Sequence, residues 1–239
     1  MTTSPAAPRT ALVTGASRGL GHALAAELNR RGWRLVLDAR DASRLAGSVA
    51  ALPHPELVTA VPGDVVDPAH RAALAEAVGP RLDLLVNNAS ELGRSPLPRL
   101  AELRPEEFAR ILAVNTVAPL ALVQAMLPAL HAAGGRIVDV TSDAAVEAYA
   151  GWGGYGASKA ALDQLSAVLA VEHPELRVYA VDPGDMATEM HQAAFPGEDI
   201  SDRPAPETVV PALLSLVDGD LPSARYRAAD LPVVTGAAR

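Results

Sequence analysis

The chain has 239 residues, of which 49% are hydrophobic, and its formal net charge is −8. This length predicts one α/β domain with a single sizeable core. The acidic balance excludes the basic surface by which proteins hold nucleic acid or an anionic membrane, and the absence of cysteine excludes disulfides, thiol nucleophiles and Cys-ligated metals. Residues 1–8 are small and polar and have no signal-peptide core, so a cytoplasmic protein is predicted.

Predicted strands and helices alternate along the chain. Short apolar runs predict strands at 11–13, 35–37, 57–61, 82–86, 136–140, 176–181 and 225–228. Stretches with helical spacing lie between them, at 20–31, 43–52, 68–78, 105–130, 155–171 and 206–217. Continuous apolar strands are typical of a parallel sheet covered by helices on both faces. The pattern predicts one doubly wound α/β domain of about seven strands over residues 9–230, with flexible ends at 1–8 and 231–239.

Two stretches depart from this regular alternation. The long helix at 105–130 contains Pro119 and Pro128, which are expected to bend or shorten it. Because its apolar part also carries Asn115 and Gln124, it is predicted to be a buried helix and not a membrane span. The segment from about 190 to 206 is rich in Pro, Gly and Asp and is predicted to be a mobile loop. This segment is either a lid over a binding site or an ordinary surface loop, and both interpretations are open.

A glycine-rich turn joins the first predicted strand to the first helix, in the segment Thr14-Gly15-Ala16-Ser17-Arg18-Gly19-Leu20-Gly21. Glycines permit a tight turn and a close approach of a ligand to the backbone. The amide groups at the start of the helix then attract an anion such as a pyrophosphate. The alternative is a tight strand–helix turn that binds nothing.

Further motifs follow in a fixed order along the chain. They are Asp64 after the third strand, Asn87-Asn88-Ala89-Ser90, Asn115 in the long helix, Ser142, Tyr155 and Lys159 in S-x12-Y-x3-K spacing, and Pro183-Gly184 with Thr188. Together with the glycine turn they resemble the short-chain dehydrogenase/reductase family over roughly residues 9–230, and Ser90 replaces the glycine usual there. The resemblance implies a Rossmann-like fold and a nicotinamide-dependent oxidoreductase. Gly151-Trp152 and the segment 171–174 are similar to the sepiapterin and benzil reductase branch.

The spacing of Tyr155 and Lys159 has a chemical rationale. Residues four apart lie one turn apart on one helix face. A free phenol has a pKa of about 10, and a nearby ammonium is predicted to lower the pKa of Tyr155 toward neutral pH. Ser142 follows a strand end, and its hydroxyl is predicted to bond the substrate carbonyl beside the Tyr155 hydroxyl. The resemblance implies that Tyr155 protonates the carbonyl oxygen, that Lys159 holds the nicotinamide ribose and that Asn115 holds a water linked to Lys159.

The choice of nicotinamide cofactor depends on the end of the second strand. A generic rule expects there an acid that binds the ribose of NAD, and Asp38 is a candidate. Against the family pattern, however, Ala39 takes the position of that acid, and Arg40 and Arg18 stand where NADP-preferring members carry basic residues. Two guanidinium groups can clamp a 2′-phosphate, so NADP(H) is favoured over NAD(H). The alternative for Arg40 is a surface ion pair with Asp41 or Asp38.

The resemblance also implies the remaining contacts with the cofactor. Asp64 and Val65 are expected to flank the adenine, and Asn87 and Ala89 to border the ribose. The expected contacts are Gly15, Ser17, Arg18, Gly19, Leu20, Gly21, Arg40, Asp64, Val65, Asn87, Ala89, Tyr155, Lys159, Pro183, Gly184, Met186 and Thr188.

The other candidate residues have a plainer interpretation beside the functional one. The six histidines show no zinc-ligand spacing, so no metal site is predicted. His191 is interpreted as a solvated loop histidine in preference to a substrate contact. Tyr149 and Trp152 stand near Tyr155 in a chain with few aromatic residues and are predicted to line the substrate pocket, with packing alone as the alternative.

Three functions and two assembly states are open at this point. The first function is an NADP(H)-dependent carbonyl reductase or alcohol dehydrogenase acting on a small molecule. The second is a tailoring ketoreductase for a polycyclic or carrier-bound ketone, and the third is an NADP-binding regulatory protein without turnover. The intact set of Ser142, Tyr155 and Lys159 favours an enzyme. The apolar helices at 105–130 and 155–171 resemble those through which family members form homodimers or homotetramers, with burial inside one chain as the alternative.

Overall fold

The computed structural model describes residues 8–232, so nearly all of the two segments predicted to be flexible lies outside the described residues. Seven strands form one sheet in the order β3-β2-β1-β4-β5-β6-β7, and every neighbouring pair is parallel. The strands are β1 (Thr10–Val13), β2 (Arg34–Ala39), β3 (Val58–Pro62), β4 (Leu84–Asn87), β5 (Arg136–Val140), β6 (Arg177–Asp182) and β7 (Ala224–Arg227). The predicted doubly wound parallel sheet is confirmed.

The helices cover both faces of this sheet. They are α1 (Gly19–Arg30), α2 (Ala42–Ala50), α3 (Pro68–Val78), α4 (Pro105–Leu112), α5 (Ala118–Ala133), α6 (Gly153–Glu172), α7 (Glu189–Ala194) and α8 (Val210–Asp218). The core has two parts, one on each face of the sheet, because successive side chains of a strand point to opposite faces. Ala11 and Val13 of β1 pack with residues of α1, α2 and α8 on one face. Leu12 belongs to the opposite cluster, with residues of α3, α5 and α6. Each fully buried leucine or valine of these layers contributes roughly 1.5–3 kcal/mol through its burial.

The long helix is not shortened at its prolines. It runs from α4 through a π-helical segment, Ala113–Val117, directly into α5. Pro119 lies just after the π-helical segment and Pro128 lies inside α5, and the helix continues past both to Ala133. By length and hydropathy the helical stretch Pro105–Ala133 could cross a membrane, but half of its most apolar window is buried. Its Leu122 belongs to the core cluster, as expected for a core helix.

The segment predicted to be a loop from about 190 begins with a short helix. In α7, the Thr188 side chain caps the helix by accepting a hydrogen bond from the backbone N–H of His191. An irregular stretch follows up to a 3₁₀ turn at Pro206–Thr208. The prediction of a loop is therefore wrong for residues 190–194, and the mobility of the rest stays a prediction.

The sheet order places the carboxyl ends of four strands around one crevice. The chain runs outward from β1 to β3 and then returns to the other side of β1 at β4, so the connections after β1 and β4 leave in opposite directions. In open α/β sheets, ligands bind at this switch point. The glycine turn follows β1, Asn88 follows β4, Ser142 follows β5 and Pro183 follows β6, so all four motifs meet there.

Candidate active site

A cavity of about 1060 Å³ opens at these strand ends. Most of the residues predicted from the sequence line it: Gly15, Ser17, Arg18, Gly19, Leu20, Arg40, Asp64, Val65, Ala89, Ser142, Tyr155, Lys159, Pro183, Gly184, Met186 and Thr188. Three predicted residues, Gly21, Asn87 and Asn115, lie behind the cavity wall among buried groups. The cavity is at the upper end of the volume range of small-molecule sites, which leaves room for more than one ligand.

The glycine turn packs against Asn88 too closely for side chains. Gly15 has a φ of 65°, and a Cβ there would come within 2.9 Å of the Cα of Ala89 and the Nδ2 of Asn88. A Cβ on Gly21 would lie 2.5 Å from the same Nδ2. The Asn88 amide is held in this position, because it donates hydrogen bonds to the carbonyl oxygens of Thr14 (2.9 Å) and Gly15 (3.1 Å).

The start of α1 fits a pyrophosphate. Its N-cap residue, Arg18, makes no side-chain capping hydrogen bond, and its first turn contains no acidic residue. The free amide groups of a helix N-terminus bind anions, and the helix dipole favours negative charge there. Gly19 has a φ of 56°, and the nearest atom to a Cβ placed on it would be the Cγ2 of Thr188 at 3.6 Å. The residues present therefore suit a dinucleotide whose phosphates lie over Gly19.

Four arginines surround one end of the cavity, and each pairs with an acid. Arg18 and Arg44 both pair with Glu189 of α7, and Arg110 pairs with Asp64 at 2.8 Å. Arg40 lies 3.5 Å from Glu91, so neither of the partners predicted for it, Asp41 and Asp38, forms its ion pair. Sequence reasoning missed Arg44, whose only signal is its position four residues after Arg40 at the start of a helix.

Asp38 is buried and is not part of the cavity wall. One carboxylate oxygen lies 2.6 Å from Nε2 of His70, and the other accepts a hydrogen bond from the backbone N–H of Gly15 at 3.4 Å. Burial raises the pKa of this carboxyl, while the His70 contact and the Gly15 hydrogen bond act to lower it. Asp38 therefore stabilises the glycine turn from its buried side, through the backbone N–H of Gly15. Its suggested role as a ribose-binding acid is wrong.

Tyr155 and Lys159 lie on one face of α6 and both line the cavity, but their electrostatics differ from the expectation. Burial raises the pKa of Tyr155 to about 12; a hydrogen bond with Ser90 opposes this rise, and the charges of Asp143 and Asp182 add to it. The Lys159 ammonium lies 5.6 Å from the centre of the Tyr155 ring and donates to the carbonyl oxygen of Val140 at 2.7 Å. The predicted lowering of the Tyr155 pKa is therefore wrong.

The environment of Lys159 shifts its own pKa. Burial lowers it to about 8, against the charges of Asp139 and Asp163, which favour the ammonium. Asp139 is itself buried and accepts hydrogen bonds from Ser166 (2.6 Å) and from the Asn87 amide (2.7 Å). At pH 7 the ammonium form of Lys159 therefore predominates.

Ser142 caps the 3₁₀ turn Asp143–Ala145 that follows β5. Its hydroxyl donates to the Asp143 carboxylate at 2.9 Å and accepts from the backbone N–H of Ala144 at 3.2 Å. Its carbonyl oxygen accepts a hydrogen bond from Arg225 of β7 at 2.9 Å, which ties this turn to the edge of the sheet. Asp143 was not singled out from the sequence, because an acid beside a serine carries no signal of its own.

Asn115 lies in the π-helical segment with its amide fully hydrogen-bonded. It accepts from Ser90 Oγ and Glu91 N and donates to Glu91 O and Ser158 Oγ. The Asn115 amide thereby joins the turn after β4 to α6. Ser90 stands in the position usual for glycine without strain, since no non-glycine residue within 8–232 has a positive φ.

Four rings form one wall of the cavity, which we call the aromatic wall: Tyr155, Trp152, Phe195 and His191. Successive ring centres are 5.6, 6.0 and 4.9 Å apart. The interpretation of His191 as a solvated histidine is wrong, because its side chain is only 10% exposed and lines the cavity. The sequence offers Phe195 as the last residue of a candidate pocket segment, 186–195, and the fold brings it to the same wall as Tyr155, forty residues earlier in the chain.

Two histidines meet elsewhere in the fold. His131 and His173 lie with Glu175 at the opposite edge of the sheet from the cavity, where α5 ends and β6 begins, with one ligating atom of each within 4.8 Å of the others. The carboxylate of Glu175 lies 2.9 Å from Nδ1 of His131, at hydrogen-bonding distance. An ordinary ion-pair contact at the surface accounts for this group.

Comparisons with known proteins agree with this geometry. The family model described as short chain dehydrogenase matches residues 9–199. The chain is 32% identical over 224 residues to the uncharacterized oxidoreductase YciK of Escherichia coli (strain K12), covering 89% of this chain and 87% of that protein. It is 37% identical over 177 residues to the short chain dehydrogenase asqE of Emericella nidulans, covering 70% of this chain and 65% of that protein, just under two thirds. A solved structure of a short chain dehydrogenase from Shigella flexneri 2a, complexed with NADP, matches with a TM-score of 0.85 at 30% identity, covering 92% of this chain and 97% of that one.

Proposed function

This chain belongs to the short-chain dehydrogenase/reductase family, and we propose that it transfers hydride between NADP(H) and the carbonyl or secondary alcohol group of a small molecule, with Tyr155 as the general acid and base. One observation carries the proposal: Tyr155 and Lys159 line the same cavity as the glycine turn and the uncapped start of α1. A dinucleotide with its phosphates over Gly19 would extend along this cavity toward Tyr155.

The nicotinamide, when bound, supplies or accepts the hydride. The protein supplies the proton: the Tyr155 hydroxyl donates it to the carbonyl oxygen during reduction. With a pKa of about 12, this hydroxyl carries its proton at neutral pH. The neighbouring Lys159 ammonium stabilises the phenolate that this donation leaves. The Ser142 hydroxyl turns from Asp143 to donate a second hydrogen bond to the carbonyl oxygen, where charge develops.

The exchange of tyrosine for phenylalanine tests this assignment. Tyr155→Phe removes the proton donor and keeps the ring, so kcat for ketone reduction falls by about 10²–10⁴-fold. The Kd for NADPH, measured by fluorescence titration, stays within about twofold, since the ring still fills its place. Tyr226→Phe makes the same chemical change outside the cavity, where the hydroxyl donates to the carbonyl oxygen of Pro222, and it leaves kcat unchanged. Wild-type turnover in Tyr155→Phe would refute the role of Tyr155.

The arginines at the adenosine end support a preference for NADP(H). Arg18, Arg40 and Arg44 line the cavity and are held by exposed or half-buried acids, which a 2′-phosphate can replace as their partner. Replacing Arg40 and Arg18 by alanine raises KM for NADPH at least tenfold and leaves KM for NADH nearly unchanged. A wild-type enzyme that uses NADH as well as NADPH would contradict the preference.

A panel of substrates separates the alternatives. We infer a free small ketone as substrate; acetoacetyl-CoA, whose ketone is carried on a thioester, stands for the carrier-bound class. An enzyme that reduces only acetoacetyl-CoA is a tailoring reductase of carrier-bound ketones. A chain that binds NADPH but does not oxidise it with any carbonyl compound of the panel is a regulatory protein. The likeness to the sepiapterin and benzil reductase branch stays a prediction, for which benzil is the diagnostic substrate.

We further propose a homodimer or homotetramer in the cytoplasm, assembled through the helices of the α5–α6 face. Val117, the last residue of the π-helical segment before α5, is 57% exposed, and Val168 and Val171 of α6 are 41% and 82% exposed. Exposed apolar side chains on neighbouring helices favour association. Light scattering measures the mass directly; a monomer at assay concentration contradicts this proposal, and Val168→Lys is expected to weaken the assembly.

A further inference from the structure

Glu189 joins two cationic side chains at the arginine-lined end of the cavity. It is the first residue of α7, and both of its carboxylate oxygens accept from Nη1 of Arg44 at 3.0 Å. One of these oxygens, Oε2, also accepts a hydrogen bond from Arg18. Arg18 precedes α1 and Arg44 lies in α2, so one acid from the segment after β6 connects the elements that follow β1 and β2.

The three side chains of this cluster are accessible to a ligand in the cavity. The exposed fractions are 57% for Glu189, 50% for Arg18 and 45% for Arg44, and all three residues line the cavity. The hydrogen bond from Arg44, together with the charges of both arginines, lowers the pKa of Glu189, so its carboxylate is charged at neutral pH. Because exposed ion pairs contribute little to stability, a stronger anion can replace Glu189 as the partner of these arginines.

The carboxylate of Glu189 resembles a bound phosphate. Guanidinium groups that converge on the same oxygen atoms are typical of sites that hold a phosphate. A phosphate ester carries roughly −1.5 to −2 charges at pH 7 and has three acceptor oxygens, so it is the stronger partner for two arginines. The carboxylate and the phosphate would use the same donor atoms and repel each other, so the two arginines hold one anion at a time.

We propose that, until NADP(H) binds, Glu189 occupies the place of the 2′-phosphate between Arg18 and Arg44, and that the 2′-phosphate displaces it. The proposal rests on the proposed function. It makes Glu189 a specificity-determining residue, which weakens the binding of NADP(H) and leaves that of NAD(H) unchanged. Arg40 is outside this exchange, because its partner is a different acid, Glu91.

Adenosine 2′,5′-bisphosphate and 5′-AMP test the proposal, because they differ only in the 2′-phosphate. Isothermal titration calorimetry measures their Kd values, at one salt concentration since exposed charges are screened. Glu189→Gln lowers the Kd of the bisphosphate about three- to tenfold and leaves the Kd of 5′-AMP within about twofold. In an Arg44→Ala background the gain from Glu189→Gln shrinks, because one of the two shared partners is gone.

Glu207→Gln is the matched control. Glu207 is also exposed and lines the same cavity, but no arginine pairs with it within residues 8–232. The exchange removes the same charge from the cavity without removing a competitor for Arg18 and Arg44. Both Kd values are therefore expected to stay within about twofold of the wild type.

Three results would overturn the proposal. The Kd of the bisphosphate is unchanged in Glu189→Gln; it rises, which makes Glu189 a support for the arginines; or it falls equally for 5′-AMP or in Glu207→Gln, which indicates general repulsion. If the wild type binds both nucleotides equally and Glu189→Gln prefers the bisphosphate, the proposal holds and the preference of the wild type for NADP(H) fails. Because calorimetry needs no turnover, a failure to oxidise NADPH with every ketone contradicts the proposed hydride transfer alone.

Discussion

Adding one methyl group to the glycine turn tests how the cofactor site is built. Gly21 and Gly47 both lie in helices, α1 and α2, so helix propensity favours alanine over either glycine by about 1 kcal/mol. A Cβ on Gly47 meets no atom within 4 Å, whereas a Cβ on Gly21 lies 2.5 Å from Nδ2 of Asn88 and 2.7 Å from the carbonyl oxygen of Gly15. Gly47→Ala is thus the matched control for Gly21→Ala.

The size of the destabilisation by Gly21→Ala follows from the hydrogen bonds that Asn88 loses. To clear the new methyl group its amide moves and loses the hydrogen bonds to Thr14 and Gly15, which costs about 1–3 kcal/mol for each group left unsatisfied. Two such groups cost about 2–6 kcal/mol, and after the gain of about 1 kcal/mol in helix propensity Gly21→Ala destabilises the protein by about 1–5 kcal/mol, a fall in Tm of roughly 2–20 °C. Gly47→Ala raises Tm by roughly 2–4 °C.

Thermal unfolding followed by circular dichroism, at one protein concentration, measures both shifts, and fluorescence titration measures NADPH binding. Gly21→Ala is expected to weaken NADPH binding as well, because the turn that carries the phosphates moves. In an Asn88→Ala background the cost of Gly21→Ala falls, since one of the two crowded atoms is gone. A Gly21→Ala variant with the Tm of the wild type would refute the packing argument.

Three further predictions address the pocket, the pH dependence and the turn after β5. Trp152→Ala raises KM for an aromatic ketone about three- to tenfold and KM for NADPH less, because the lost ring belongs to the aromatic wall; equal changes would contradict this. Hydrogen bonding to Arg30 lowers the pKa of Glu27 to about 2, so its stabilisation is present above pH ~4.5 and is lost as the pH falls toward 2. Glu27→Gln therefore lowers Tm at pH 7, by a difference that shrinks between pH 4.5 and pH 3. Arg225→Ala frees the Ser142 carbonyl, so kcat falls while the Kd for NADPH, measured by titration, is unchanged.

Regular elements with local signals could be predicted from the sequence almost to the residue. The helix α3 begins at Pro68 and ends at Val78 as predicted, since Asp67 caps it and proline suits its first turn. The strand β5 matches the predicted 136–140, an apolar run between turns. The cavity residues after β1 and β6 could be placed in the same way, because a parallel sheet brings all its carboxyl strand ends to one edge.

Features that depend on long-range contacts could not be predicted. The helix α7 has six residues, too few for a periodic pattern, and its ion pairs with Arg18 and Arg44 join residues more than 140 positions apart. The burial of His191 has the same origin. Its ring packs on Phe195 in the cavity wall, and the sequence around His191 contains no pattern that predicts this.

The pKa of Tyr155 shows why identifying Tyr155 and Lys159 from the sequence does not determine the acid–base properties of the tyrosine. Helical spacing puts Lys159 one turn away, but the direction of its ammonium depends on the carbonyl of Val140, which belongs to another element. Burial and the charge of Asp143 then raise the pKa of the hydroxyl to about 12, opposite to the shift expected from a neighbouring cation. A phenol with this pKa gives up a proton only as negative charge forms on a carbonyl oxygen hydrogen-bonded to it. In the proposed reaction, proton transfer from Tyr155 is therefore expected to accompany hydride transfer to the carbonyl, and the reverse holds for oxidation.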